Sequence, residues 1–262
     1  MKKWNRIVIK VGTSTLAYPS YRMNIRRVEK LVKVLSDIKN SGVEILLVSS
    51  GAIAMGVGKL GLLQKPKDLA MKQACAAVGQ CELMYVYDKL FSEYNHNVAQ
   101  VLLTKEDLEN PKRRDNFSNT IEQLIAYGTI PILNENDTVS TEEITSIGDY
   151  DTLASFVSEA VHADLLILLT DIDGLFTDDP RTNPNATFIH HVHTIDQSIL
   201  DLAKGAGSKQ GTGGMLTKVH AAGICLKDDI DMIIANGEKP EILYDILERK
   251  DVGTFFSKEE KL

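Results

Sequence analysis

The chain has 262 residues, with 29 Lys+Arg against 36 Asp+Glu and a formal charge of −7. Hydrophobic residues make up 44% and charged residues 25%, as in globular proteins that bury a large core without disulfides or structural metal. The acidic balance excludes a broad basic field, so no nucleic-acid or membrane-surface partner is expected, and any phosphate chemistry must rest on a few placed lysines.

Met1-Lys2-Lys3 looks like the start of an export signal, but Ile7-Val8-Ile9 is only three apolar residues before Lys10. The longest strongly apolar run, Leu165–Leu169, is far short of a membrane span. Cys75, Cys81 and Cys225 are too scattered for a disulfide framework or a cysteine-rich zinc site. A reduced, cytoplasmic protein is expected.

Apolar runs of strand length alternate with helix-length amphipathic stretches, which predicts an α/β fold with a mainly parallel sheet and crossover helices. Ile7–Val11 reads as a first strand, its apolar residues continuous rather than alternating and so buried on both faces. Arg26–Asn40 carries Val28, Leu31, Val32, Leu35 and Ile38 at helical spacing, and Ser41-Gly42 ends it. Val43–Val48 predicts a second strand, Leu69–Gly79 and Glu82–Tyr94 two helices holding Cys75 and Cys81 in the core, and Val98–Leu103 a strand. Phe117–Tyr127 reads as a helix, Ile130–Leu133 as a strand, Leu153–Val161 as a helix and Asp164–Leu169 as the most apolar strand. Asp171–Asn185 reads as a long loop. Lys204–Gly214, with five glycines, precedes a helix at Met215–Leu226, and Ile230–Ile234 is expected as a last short central strand. One continuous sheet serving two ligand lobes, divided near residue 165, is the economical arrangement.

Several turns fall where ligands bind in open α/β sheets, beyond the carboxyl ends of strands. Lys10 ends the first strand and leads into Gly12-Thr13-Ser14, a turn with hydroxyl and N–H donors. Ser49-Ser50-Gly51-Ala52 follows the second strand and makes an anion-friendly turn at a helix start. Asn134-Glu135-Asn136-Asp137 and Gly148-Asp149-Tyr150-Asp151 are acid-rich. Asp149 or Asp151 is either the cap of the next helix or part of a site for an α-ammonium group or Mg²⁺. The sharpest feature is Gly211-Thr212-Gly213-Gly214-Met215-Leu216-Thr217-Lys218, a glycine-rich loop running into a helix, with Lys218 one turn in. It is neither a Walker A loop nor a dinucleotide fingerprint. Thr170-Asp171, ending the most apolar strand, suits the nucleoside part. The His190-His191-Val192-His193 cluster lacks partners at metal-ligand spacing, and Lys112-Arg113-Arg114 reads as a solvated basic face. No protein metal site is expected.

Taken together, Ile9–Ser14, Val48–Ile53, Asn134–Asp137, Leu169–Asp171, Gly174-Leu175-Phe176-Thr177 and Gly211–Lys218 resemble, in order, the bacterial glutamate 5-kinases of the amino acid kinase superfamily. The resemblance runs from about residue 5 to 256. It implies a three-layer αβα sandwich and transfer of phosphate from ATP, with Mg²⁺, to the γ-carboxylate of L-glutamate, the first step of proline synthesis. It also implies a single kinase domain, with residues 1–164 as the amino-acid lobe and 165–262 as the ATP lobe. Many members carry a C-terminal PUA domain, which is not expected here. Residue by residue, it makes Lys10 and Lys218 the phosphate-stabilising lysines, with Asp151 beside them. Ser50, Gly51, Asn134, Asp137, Asp149 and Tyr150 would hold glutamate. Lys10, Gly12, Thr170, Asp171 and Thr212, Gly213, Gly214, Met215, Leu216, Thr217 and Lys218 would hold ATP. Where the family usually has Gly-Asp-Asn-Asp, this chain has Gly148-Asp149-Tyr150-Asp151, so Tyr150 replaces an amide. A homodimer or homotetramer and feedback inhibition by proline are further implications. The alternatives are a sister kinase acting on N-acetylglutamate, carbamate, aspartate or UMP, or a nucleotide-binding regulator without turnover.

Overall fold

The first apolar run forms strand β1 (Arg6–Val11), and every later strand of the large sheet is laid on one side of it or the other. The computed structural model describes residues 3–139, 150–205 and 214–258. Strands β2 (Glu44–Ser49), β3 (Val98–Leu103), β4 (Ile130–Glu135), β5 (Leu165–Thr170), β8 (His191–Val192), β9 (Asp231–Asn236) and β10 (Thr254–Phe256) complete an eight-stranded sheet. Its order is β3-β4-β2-β1-β5-β9-β10-β8. The six strands from β3 to β9 in that order are parallel, and β10 joins β9 antiparallel. Strands β6 (Leu175–Phe176) and β7 (Phe188–Ile189) form a separate antiparallel ribbon.

Side-chain alternation along the buried strands builds a core on each face of the sheet. On one face Ile7, Ile9, Ile45, Leu47 and Ile167 pack against helices α2 (Ile25–Asn40), α3 (Ala52–Lys59) and α4 (Leu69–Ser92). On the other, Val8, Leu46, Val48, Leu166 and Leu168 pack against α6 (Pro111–Ala126), α7 (Tyr150–Ala160) and α9 (Met215–Lys227). The result is a three-layer αβα sandwich. Helices α1 (Thr13–Leu16), α5 (Lys105–Glu109), α8 (Gln197–Gly205) and α10 (Ile242–Leu247) are short additions. No helix among the described residues is long and apolar enough to cross a membrane.

Some expectations need correction. The two helices expected at 69–79 and 82–94 are one continuous helix, α4. Gly79 is not a breaker: a Cβ there would lie 1.8 Å from the Ala52 carbonyl oxygen, so the glycine lets α3 and α4 touch backbone to backbone. Cys81 is exposed rather than in the core, whereas Cys75 is buried. Six residues at about 100° each carry position 81 to a different side of the helix from position 75. The stretch after Thr170 is not all loop, since it holds β6. Strand β9 is also not the last, because α10 and the antiparallel β10 follow it.

From β1 the chain moves toward β2 and β4, and from β5 it moves the other way, toward β9. Neighbouring strands whose connections diverge open a crevice at their carboxyl ends. Here that crevice lies beyond β1 and β5, at Lys10, Gly12 and Thr170.

Candidate active site at the carboxyl ends of the strands

Lys10 lies beside Val48 of β2 and Leu168 of β5, so its chain starts in the interior of the sheet. Its ammonium donates to Asp151 Oδ1 at 2.7 Å. Lys218, in the first turn of α9, donates to Asp151 Oδ2 at 2.9 Å. Asp151, near the start of α7, is fully buried, and Lys218 is 6% exposed. Three elements far apart in sequence thus meet at one carboxylate. Burial pushes the Asp151 carboxyl up, but the charges and hydrogen bonds of Lys10 and Lys218 outweigh it and hold it well below the usual carboxylate range. Two lysine ammonium groups thus converge on one point, which suits a polyanion. Thr217 Oγ1 lies 3.2 Å from Asp151 Oδ2 and 2.7 Å from the Gly214 carbonyl oxygen.

The start of α9 adds to this field. Gly214 precedes the helix with no side-chain cap, so first-turn N–H groups stand as donors for an anion. Met215 is buried and Leu216 packs partly against the same core, so contacts from these two positions would come from the backbone. Gly12 lies close to the Lys10 ammonium: a Cβ there would be 4.0 Å from Nζ. Thr170, at the end of β5, donates to Asp171 Oδ1 at 3.2 Å, and Asp171 is exposed. Asp149, Thr212 and Gly213 lie outside the described residues.

On the β2 and β4 side, Ser50 is buried and donates to the Val11 carbonyl at 2.9 Å, with Thr13 Oγ1 3.3 Å from its hydroxyl. Gly51 has φ +91°, a left-handed turn conformation that favours glycine and starts α3. Asn134 is buried, with its amide nitrogen donating to Gln80 Oε1 at 2.7 Å and its oxygen accepting from the Glu135 N–H at 2.9 Å. Tyr150 Oη donates to Asp137 Oδ2 at 3.4 Å. Burial and the neighbouring Glu135 charge push the Asp137 carboxyl up to about 7, while Tyr150 and Lys65 pull the other way. Burial, with Asp137 and Glu135 close by, raises Tyr150 well above its ordinary value.

Lys10, Asp151, Thr217 and Lys218 are therefore in direct contact, Asp137 pairs with Tyr150, and Ser50 and Gly51 stand at the next strand end. Two participants were not singled out by the sequence. Thr13 was visible only as part of the turn after β1, and Gln80 sits in mid-helix, where no motif marks it. The histidines after β7 engage other partners: His190 meets Asp251 at 3.1 Å, and His193 Nδ1 lies 2.9 Å from the Ser257 carbonyl. Arg113 and Arg114 pair with Asp107 and Glu159. Among the described residues no three His, Cys, Asp or Glu side chains converge as a metal site, and both Asp151 oxygens already accept from lysines.

A parallel sheet with converging lysines and an uncapped helix start is an architecture for handling a phosphorylated ligand. The chain belongs to the amino acid kinase family, whose model matches residues 5–236. It is 54% identical over 259 residues to glutamate 5-kinase of Clostridium perfringens, covering 98% of this chain and 96% of that one. It is 48% identical over 261 residues to glutamate 5-kinase of Enterococcus faecalis, with the same coverage. Among solved structures it resembles UMP kinase from Ureaplasma parvum, with TM-score 0.66, 18% identity, and coverage of 98% of this chain and 100% of that one. It also resembles isopentenyl phosphate kinase from T. acidophilum, with TM-score 0.65, 19% identity, and coverage of 96% and 99%. At that identity the two structures speak for the fold alone.

Proposed function

We infer that this chain transfers the terminal phosphoryl group of ATP to the γ-carboxylate of L-glutamate, giving L-glutamyl 5-phosphate and ADP, the first step of proline synthesis. The carrying observation is the 48–54% identity to glutamate 5-kinases over nearly the whole chain. The Lys10–Asp151–Lys218 bridge supplies the chemistry such a reaction needs. A glutamate side-chain carboxylate, with an ordinary pKa of about 4.3, is already ionised at neutral pH, so no general base is needed. The barrier then lies in bringing one anion to another and in holding the charge of the moving phosphoryl oxygens.

In this reading Lys10 and Lys218 neutralise those oxygens from opposite sides, and Asp151 holds the two ammonium groups apart in the ligand-free protein. Residues 1–164 form the amino-acid lobe, where Ser50, Gly51, Asp137, Asp149 and Tyr150 hold glutamate, with ionised Asp137 facing its ammonium group. Asn134 acts one step back, since Gln80 and the Glu135 N–H already occupy its amide. Residues 165–262 form the nucleotide lobe, where Gly12 of the other lobe, Thr170, Asp171, residues 212–216 and Lys218 bind ATP, with the Thr217 hydroxyl beside Asp151. Mg²⁺ is assigned to the substrate, as Mg·ATP. Proline, a cyclic relative of glutamate, would compete at the amino-acid site. A cytoplasmic homodimer or homotetramer completes the proposal.

The test is ADP release from Mg·ATP with L-glutamate, beside N-acetyl-L-glutamate and L-aspartate. Release with L-glutamate alone is expected. Release only with another acceptor would keep the kinase and overturn the substrate, and silence with all three would favour a regulator without turnover.

A further inference from the structure

We propose that Thr217 is a positioning residue: its hydroxyl takes the place of Lys218 on Asp151 when Lys218 turns to the phosphoryl group. The proposal rests on the phosphoryl-transfer reading above and deepens it. Thr217 Oγ1 has two neighbours, the Gly214 carbonyl oxygen at 2.7 Å and Asp151 Oδ2 at 3.2 Å. Neither can donate, because one is a carbonyl and the other a carboxylate held ionised by two lysines. The hydroxyl has a single hydrogen, so it serves one acceptor at a time. The shorter contact takes it in the ligand-free protein, as the back-bond to the residue three earlier that threonine often makes in a helix.

The other acceptor is the oxygen that Lys218 also holds, at 2.9 Å. Asp151 is fully buried, so bulk water does not replace a donor that leaves. If the Lys218 ammonium swings toward a phosphate, Oδ2 gives up a charged hydrogen bond inside the protein, which is expensive unless another donor steps in. Rotation about the Thr217 Cβ–Oγ1 bond brings one in, with no change of backbone and no proton leaving its oxygen. The released Gly214 carbonyl keeps its ordinary place as first acceptor of the α9 ladder. The hydroxyl thus lowers the cost of freeing Lys218 and keeps Asp151 aimed at Lys10 while it happens. That benefit arises only as Lys218 moves, so it belongs in kcat rather than in substrate affinity.

The experiment compares wild type with Thr217→Val, Thr217→Ala and Thr217→Ser in steady-state kinetics with Mg·ATP and L-glutamate, and records each Tm. A hydrogen bond to a charged acceptor corresponds to a change of about tenfold to hundredfold. The expected result is a fall of that size in kcat for Val and Ala, with both KM values within about twofold and Ser restoring most of kcat. The effect of Thr217→Val should vanish in an Asp151→Asn background. A raised KM for Mg·ATP at unchanged kcat would make Thr217 a phosphate ligand and overturn the proposal. A lowered Tm with unchanged kinetics would make it a helix cap and overturn it equally. Wild type inactive with every acceptor would overturn the phosphoryl-transfer reading and this inference with it, whereas an active wild type with unaltered variants overturns only the inference.

Discussion

Asp151→Asn is the sharpest single perturbation of the site. The carboxylate sits between two ammonium groups at 2.7 and 2.9 Å and is fully buried. An amide of the same size removes the negative charge and turns one oxygen into a donor facing a cation. Two neighbouring lysines then lose the carboxylate they share, and one of them is almost wholly buried. Removing one partner of a buried ion pair typically costs about 3–5 kcal/mol. For a chain of this length roughly 2 °C of Tm accompanies each kcal/mol, so a drop of about 6–10 °C is expected. Urea unfolding at pH 7 measures the same loss directly. The pH dependence supplies an internal control. The folded Asp151 carboxyl lies below its ordinary 3.8, so its contribution is present above about pH 4 and is lost as pH falls through the folded value. The gap between wild type and Asp151→Asn should therefore narrow in acid. A variant as stable as wild type at pH 7, with unchanged turnover, would show that the lysines do not depend on this carboxylate.

Lys10→Ala and Lys218→Ala should each lower kcat by about a hundredfold or more while changing KM far less, and near-normal turnover in either would remove that lysine from the mechanism. Asp137 titrates near 7 in the fold against an ordinary 3.8, so its contribution to stability is full below about pH 4 and is lost as pH rises through 7. Since the ionised form is the one that would meet an ammonium group, KM for glutamate should fall between pH 6 and 8. Asp137→Asn should raise that KM about tenfold or more at pH 8 and flatten its pH dependence, and an equally sloped profile in the variant would assign the titration elsewhere. Gly79→Ala places a Cβ 1.8 Å from the Ala52 carbonyl oxygen, which as backbone cannot simply step aside. Overpacking should outweigh the roughly 1 kcal/mol gain in helix propensity and leave a net loss of about 1–2 kcal/mol in urea unfolding, where an unchanged midpoint would contradict the close packing of α3 on α4.

The large parallel sheet was legible because its strands are mostly apolar runs bounded by glycine or polar turns, and the strand ends marked the site. Lys10, Ser50, Asp137 and Thr170 all follow from that rule, and Lys218 was marked instead by the glycine-rich loop that runs into its helix. The bridge itself was not legible from pattern alone. Asp151 reads equally well as a helix cap, and only the fold brings residues 10, 151 and 218 to one point. Gly79 misled because a glycine that admits a neighbouring backbone looks the same as one that ends a helix. Strand β10 was missed because it spans three residues, Thr254–Phe256, too few to show a period, and its antiparallel pairing with β9 is a tertiary fact. The Asn134–Gln80 contact joins a strand end to a mid-helix glutamine, and neither residue carries a local signature of the other.

The most direct test of the central claim is trapping of the product. With Mg·ATP, L-glutamate and hydroxylamine, γ-glutamyl hydroxamate should form in step with ADP, and the Lys10→Ala, Lys218→Ala double variant should give neither product. ADP without hydroxamate would mean that the phosphoryl group goes to water or to an acceptor other than the γ-carboxylate, which would contradict the account.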